Sequence, residues 1–201
     1  MKNVVVTGAT GGIGSAVVKS LSAEFNVMAY PHADLKPHTY ADILICCHAT
    51  PPNSSLVETL AIDVQQAYES YLAVCPSMAE NRWGRVIFFS SIRAQQPRPG
   101  QVAYATAKAA IEGMTRALAV KDGHYGITVN CIAPGAVDTP RTRTNIAAGI
   151  VSEAELISRT PNGRLATTAD VVNTVLWLIS DEASHVNGQV ITVDGGWSVR
   201  G

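Results

Sequence analysis

The chain opens MKNVVVTGATGGIG, and these fourteen residues already commit it to a strand, a glycine turn and a helix in that order. Three valines in series suit a strand covered on both faces. Gly8, Gly12 and Gly14 then remove side chains where backbone N–H groups must come close to a ligand, with Thr10 inside the turn and Ile13 opening the helix. A helix N-terminus adds unpaired donors and the positive end of its dipole, so the segment has the physics of a cradle for a pyrophosphate.

Beyond the turn, short β-branched runs alternate with longer stretches of helical periodicity, the pattern of a parallel sheet with helices on both faces. The strand candidates are residues 3–7, 26–30, 42–47, 85–90, 128–133 and 189–193, and helices are predicted at about 13–23, 56–80, 104–121 and 168–180. The expected fold class is therefore α/β: a doubly wound Rossmann sheet of about six parallel strands in a single domain over residues 1–201. Only ten residues separate Tyr30 from Ala41, less than a crossover containing a helix needs, so the sheet is expected to be thinned on that side.

With 201 residues, 47% of them hydrophobic, and a formal net charge of -1, the chain can bury a sizeable core and offers no electrostatic case for nucleic acid or an anionic membrane. The N-terminal apolar run is too short for a signal segment or a membrane span, which points to the cytoplasm. Cys46, Cys47, Cys75 and Cys131 show no paired spacing, and two are adjacent in an apolar run; they read as buried reduced thiols, with no metal site.

In SSIRAQQPRPGQVAYATAK, residues 90–108, a serine pair precedes a Pro/Gly-rich turn, and Tyr104 and Lys108 follow four residues apart on one helix face. A free phenol titrates near 10, and an adjacent ammonium favours its ionised form, which turns it into a usable acid and base. Taken with TGATGGIG, TVNCIAPGAVDTP and NGQVITVDGG in this order, the chain resembles the short-chain dehydrogenase/reductase superfamily, most closely its 3-oxoacyl-carrier-protein-reductase-type members. That resemblance implies catalytic roles for Ser91, Tyr104 and Lys108. It implies cofactor contacts from Gly8, Thr10, Gly12, Ile13 and Gly14, from Tyr104 and Lys108, and from Pro134, Gly135, Val137 and Thr139 around a nicotinamide. It also implies a homo-oligomer, dimer or tetramer.

Three departures stand against the family pattern. Cys46, Cys47, His48 and Ala49 replace its Asn-Asn-Ala-Gly, so Ala49 brings a methyl group to the cofactor approach, and His48 is either a new functional group or a packing substitution. The family's catalytic asparagine aligns with Asp63, which accepts hydrogen bonds but, ionised, donates none. The strand ending at Tyr30 lacks the usual acid or arginine, while Asp34 and Leu35 resemble the family's pair beside adenine. His32, Lys36 and His38 incline the cofactor expectation slightly to NADP(H) over NAD(H).

The resulting expectation is an NAD(P)-dependent oxidoreductase that moves a hydride between a nicotinamide cofactor and a small-molecule ketone or secondary alcohol, with Tyr104 as acid/base. The alternative is a degenerate or non-redox member of the fold, either a cofactor-binding protein or a lyase or dehydratase. Arg141 and Arg143 lie in the family's variable lid, where they either meet an anionic substrate or are solvated.

Overall fold

The computed structural model describes residues 1–33, 35–36, 39–50 and 54–200. Its six strands are β1 (Asn3–Thr7), β2 (Asn26–Tyr30), β3 (Ile43–Cys46), β4 (Gly84–Phe89), β5 (Ile127–Pro134) and β6 (Val190–Val193). They form one sheet in the order β2-β1-β3-β4-β5-β6, every pair parallel.

Side chains alternate strictly between two cores, as the two-residue period of a strand requires. Val4 and Val6 of β1, Ile43 and Ile45 of β3, and Ile87 and Phe89 of β4 face one cluster, which α1 (Gly12–Leu21) and α7 (Thr168–Ile179) cover through Val17, Leu21, Val171 and Val175. Val5, Leu44, Val86 and Phe88 face the other, closed by Tyr71, Val74 and Met78 of α3 (Gln66–Glu80) and Ile111 and Leu118 of α4 (Val102–Asp122). Both faces are dry, which explains why the strands read as near-continuous apolar runs in the sequence.

The chain leaves β1 for β2, then crosses back over β1 to begin β3. The strand order therefore reverses beyond the carboxyl ends of β1 and β3, where a doubly wound sheet opens a crevice for its ligand. Between Tyr30 and Asp42 the described residues hold no helix or strand, and β2 is left as a half-exposed edge. The thinning expected from the short interval is present.

One predicted helix changes, and two helices appear where none was predicted. The helix expected over 56–80 is interrupted: α2 (Leu56–Thr59) passes into a π-helical turn, Leu60–Gln65, before α3 begins. A π turn swells the helix by one residue and re-aims its side chains, and here it turns Asp63 into the protein interior. The segment read only as a variable lid contains α5 (Pro140–Ala147) and α6 (Glu153–Ser158), capped by the hydroxyls of Thr139 and Ser152. The cysteine expectation also needs correcting: all four thiols are free, but only Cys46 and Cys131 are buried, while Cys47 and Cys75 are partly exposed. No helix among the described residues is long and apolar enough to cross a membrane.

Leu44 is fully buried in the middle of β3. Leu44→Ala is expected to cost about 2–5 kcal/mol, read as a lowered urea midpoint with an unchanged slope.

Candidate functional site

At the end of β1 the chain turns through Gly8 in the left-handed region, φ +67°. A Cβ there would lie 2.3 Å from His48 N, and one at Gly14 would lie 2.2 Å from Gly8 O, so neither position admits a side chain. At Gly12 a Cβ would meet Thr139 at 2.8 Å, because the base of α5 sits against the start of α1. Thr10 is exposed on this turn and Ile13 is half-buried beneath it. The start of α1 has no side-chain cap and no acid in its first turn, leaving its donors and positive end open to an anion. The turn fits a dinucleotide pyrophosphate on these grounds.

Across the crevice stands the second group. Tyr104 is half-buried in the first turn of α4, and Lys108, one turn later, is 3% exposed. The Lys108 ammonium lies 5.5 Å from the Tyr104 ring centroid and donates to Phe89 O at 3.2 Å. Its charge is met by Asp63, whose Oδ2 lies 3.0 Å from Nζ as an ion contact without the alignment of a hydrogen bond. Asp63 Oδ1 accepts from Thr50 N at 2.6 Å and from the Thr50 hydroxyl, so the loop after β3, the π turn and α4 meet at one carboxylate. Burial works to lower the Lys108 pKa, but Tyr104, Asp63 and the more distant Cys131 together outweigh it and raise the value above that of a free lysine.

Ser91 is buried in extended backbone at the end of β4, and its Oγ accepts from Arg93 N at 3.2 Å. That bond uses a lone pair and leaves the hydroxyl proton available. The neighbouring Ser90 hydroxyl lies within donating distance of both Lys108 O, 3.1 Å, and the buried Glu112 carboxylate, 2.9 Å. It ties β4 to α4 at the level of Lys108.

The residues replacing the family's Asn-Asn-Ala-Gly are also placed. Cys46 ends β3, and burial pushes its thiol up to about 12; Cys47 donates its N–H to Thr7 O at 2.9 Å. His48 Nδ1 and Thr7 Oγ1 are 2.7 Å apart, while the buried Nε2 has no partner among the described residues. Burial first, and the Lys108 charge second, push His48 down to about 4, with Asp63 opposing, so the ring is neutral at neutral pH. Ala49 is exposed at the crevice.

On the far wall Pro134 ends β5 and Gly135 follows, with a Cβ there only 2.8 Å from that of Asp194. Val137 pairs with Ala166, and Thr139 caps α5. On the adenosine side Tyr30 is half-buried and its carbonyl accepts from Ala9 N at 3.0 Å; Leu35 packs against the core, and His32 and Lys36 are exposed. Asp34 and His38 lie outside the described residues.

The lid arginines are not free. Arg143 grips Asp138 through two bonds of 2.6 Å and Glu153 at 2.7 Å, and Arg141 reaches Thr50 O at 3.5 Å. The sequence reading passed over Thr7, Thr50, Ser90 and Glu112, because each acts through a partner between 18 and 41 residues away or on another element. Two open concavities elsewhere, beside Gly195 and beside Trp83, hold none of the predicted site residues.

A family model described as enoyl-(acyl carrier protein) reductase matches residues 47–198. The chain belongs to the short-chain dehydrogenase/reductase superfamily. This superfamily member is 32% identical over 197 residues to the 3-oxoacyl-acyl-carrier-protein reductase FabG of Pseudomonas aeruginosa, an overlap of 94% of this chain and 78% of that protein. It is 40% identical over 141 residues to subunit BbsD of a (2S)-[(R)-hydroxy(phenyl)methyl]succinyl-CoA dehydrogenase of Thauera aromatica, covering 70% of this chain and 55% of that one. A crystal structure of a short-chain dehydrogenase/reductase family oxidoreductase from Burkholderia thailandensis superposes with a TM-score of 0.87 over 99% of this chain and 93% of that one, at 25% identity. The chain spans little more than half the length of several curated relatives it matches.

A histidine held neutral in the fold but free to protonate when unfolded makes stability fall as pH drops. Thermal denaturation should show the loss between about pH 6.5, the ordinary histidine value, and about 4, and His48→Gln should flatten that part of the profile.

Proposed function

We propose that this chain is an NAD(P)-dependent oxidoreductase interconverting a ketone and a secondary alcohol, with Tyr104 as the acid and base. The observation that carries the reading is Lys108, charged and buried 5.5 Å from the Tyr104 ring centroid, across the crevice from an uncapped helix N-terminus. The glycine turn would hold the pyrophosphate, Pro134 to Thr139 the nicotinamide, and Lys108 the nicotinamide ribose. When bound, the nicotinamide supplies the hydride acceptor or donor.

The chain's own groups then account for the proton and the substrate oxygen. Ser91, with its hydroxyl proton uncommitted, donates to that oxygen. Tyr104 transfers a proton to or from it, with the Lys108 ammonium 5.5 Å from its ring centroid. Asp63 holds the ammonium in place through Oδ2 while Thr50 fixes Oδ1. A lean to NADP(H) rests only on the exposed His32 and Lys36 beside the trimmed adenosine side. Self-association through α3 and α4 is supported by the exposed apolar residues Tyr68, Leu72 and Val120 on those helices.

The direct Asp63 to Lys108 contact also favours a second reading, in which the ammonium is engaged elsewhere and the protein binds cofactor without redox turnover. Titration with NADH and NADPH by nicotinamide fluorescence, followed by a ketone panel at 340 nm, separates the two: binding with turnover supports the oxidoreductase, and binding without turnover supports the alternative.

Tyr104→Phe should leave cofactor affinity within a few-fold while lowering turnover by about 10²–10⁴. Asp63→Asn removes the partner of a buried charge and is expected to cost about 3 kcal/mol, measured by denaturant titration. The same change removes one cause of the raised Lys108 pKa, so the alkaline limb of the activity profile should move to lower pH.

A further inference from the structure

Three guanidinium groups converge on one indole at the substrate side of the crevice. The Arg93, Arg98 and Arg159 carbons stand 5.2, 5.8 and 4.6 Å from the Trp197 ring centroid. They come from three separate elements: the turn that follows Ser91, the loop before α4, and the end of the lid helix α6. Arg93 is two residues from Ser91 and bonded to it through its N–H. Through that bond the cluster borders Ser91.

The charges in this cluster do not balance. Glu155 is the one acid in reach among the described residues, 3.5 Å from Arg98 and 4.0 Å from Arg159, and it is half-exposed itself. Arg93 has no carboxylate within 4.0 Å among the described residues and donates only to Gln96 O, at 3.2 Å. One buried donor stays unmatched, Nε1 of Trp197, a residue 3% exposed, and Arg98 Nη2 has only its 3.5 Å ion contact with Glu155 and no hydrogen bond. Like charges packed against one ring repel, and burial together with Arg98 and Arg159 lowers the Arg93 pKa to about 10. Stacking on an aromatic face offsets part of this repulsion, and an anion bound there would offset more of it.

We propose that Arg93, Arg98 and Arg159 form, around Trp197, a subsite for an oxyanion on the substrate, making this an enzyme for carbonyl compounds that carry a carboxylate or phosphate group. The planar fork of each guanidinium matches either group in a bidentate manner. Of the two lid arginines, Arg143 is neutralised by Asp138 and Glu153, and Arg141 donates to Thr50 O at 3.5 Å, on a different element from the cluster. The subsite rests on the oxidoreductase reading above, so its test carries a measurement that does not need turnover.

Two matched pairs of ketones decide the matter: acetoacetate against methyl acetoacetate, and dihydroxyacetone phosphate against dihydroxyacetone. In the wild type, kcat/KM should favour the anionic member of at least one pair by about tenfold or more, and the pair preferred identifies carboxylate or phosphate. Arg98→Gln and Arg159→Gln should each reduce that ratio by about tenfold, and raising the salt concentration should reduce it too. Arg93→Gln is a third variant, and thermal melting confirms that each is folded. A ratio near one in the wild type, or one unchanged in the folded variants, overturns the subsite and leaves the oxidoreductase reading standing. If no ketone turns over, calorimetric titration with malonate and inorganic phosphate decides: binding lost in the variants supports the subsite while the hydride reading fails, and no binding overturns the subsite.

Discussion

The Lys108 ammonium is the constraint around which the site is organised. Removing a charge from water costs several kcal/mol after relaxation, and a fold recovers this only through a partner charge and further hydrogen bonds. Each such group here comes from a different element: Asp63 from the π turn, Phe89 O from the end of β4, and Thr50, holding Asp63, from the loop after β3. Lys108 thereby joins three segments that share no sequence neighbourhood. The π turn has a definite function in this arrangement, since it directs a carboxylate inward from a helix whose flanking residues 56, 57 and 72 are exposed.

Charge elsewhere around the crevice divides into two regimes. At the base of the lid, Arg143 is neutralised by Asp138 and Glu153, a surface network that fixes α5 relative to α6 at little net energetic gain. Around Trp197, by contrast, three guanidinium groups share one carboxylate, Glu155, among the described residues. Exposed charges usually distribute to minimise repulsion, so a local excess on the substrate side is informative about what the crevice meets. The open N-terminus of α1 shows the same sign on the cofactor side.

The trimmed sheet edge sets a different balance. β2 is the edge strand, and no helix or strand is described between Tyr30 and Asp42. The phosphate turn keeps its complete geometry, down to the two glycines whose Cβ atoms would strike backbone. In the proposed function, cofactor affinity is then concentrated on the pyrophosphate and nicotinamide halves.

The fold was legible in the sequence because short β-branched apolar runs, bounded by turn residues, alternate with longer stretches of helical periodicity. The limits of β1 and β2 fall where the run of residues puts them; β3, β4 and β5 differ by one residue at each end and β6 by one at its start. The glycine turn was equally legible, since Gly8 and Gly14 answer to backbone geometry, and so was the spacing of Tyr104 and Lys108, which the helix period fixes. The interruption of the helix over 56–80 was not, because a π turn has no periodicity of its own and follows from what packs against it. The pairing of Asp63 with Lys108, the contact of Thr7 with His48, and the convergence of Arg93, Arg98 and Arg159 on Trp197 were decided by tertiary structure alone. Local pattern specifies an element through its own backbone, whereas burial and charge balance depend on residues tens of positions apart that only the closed fold brings together.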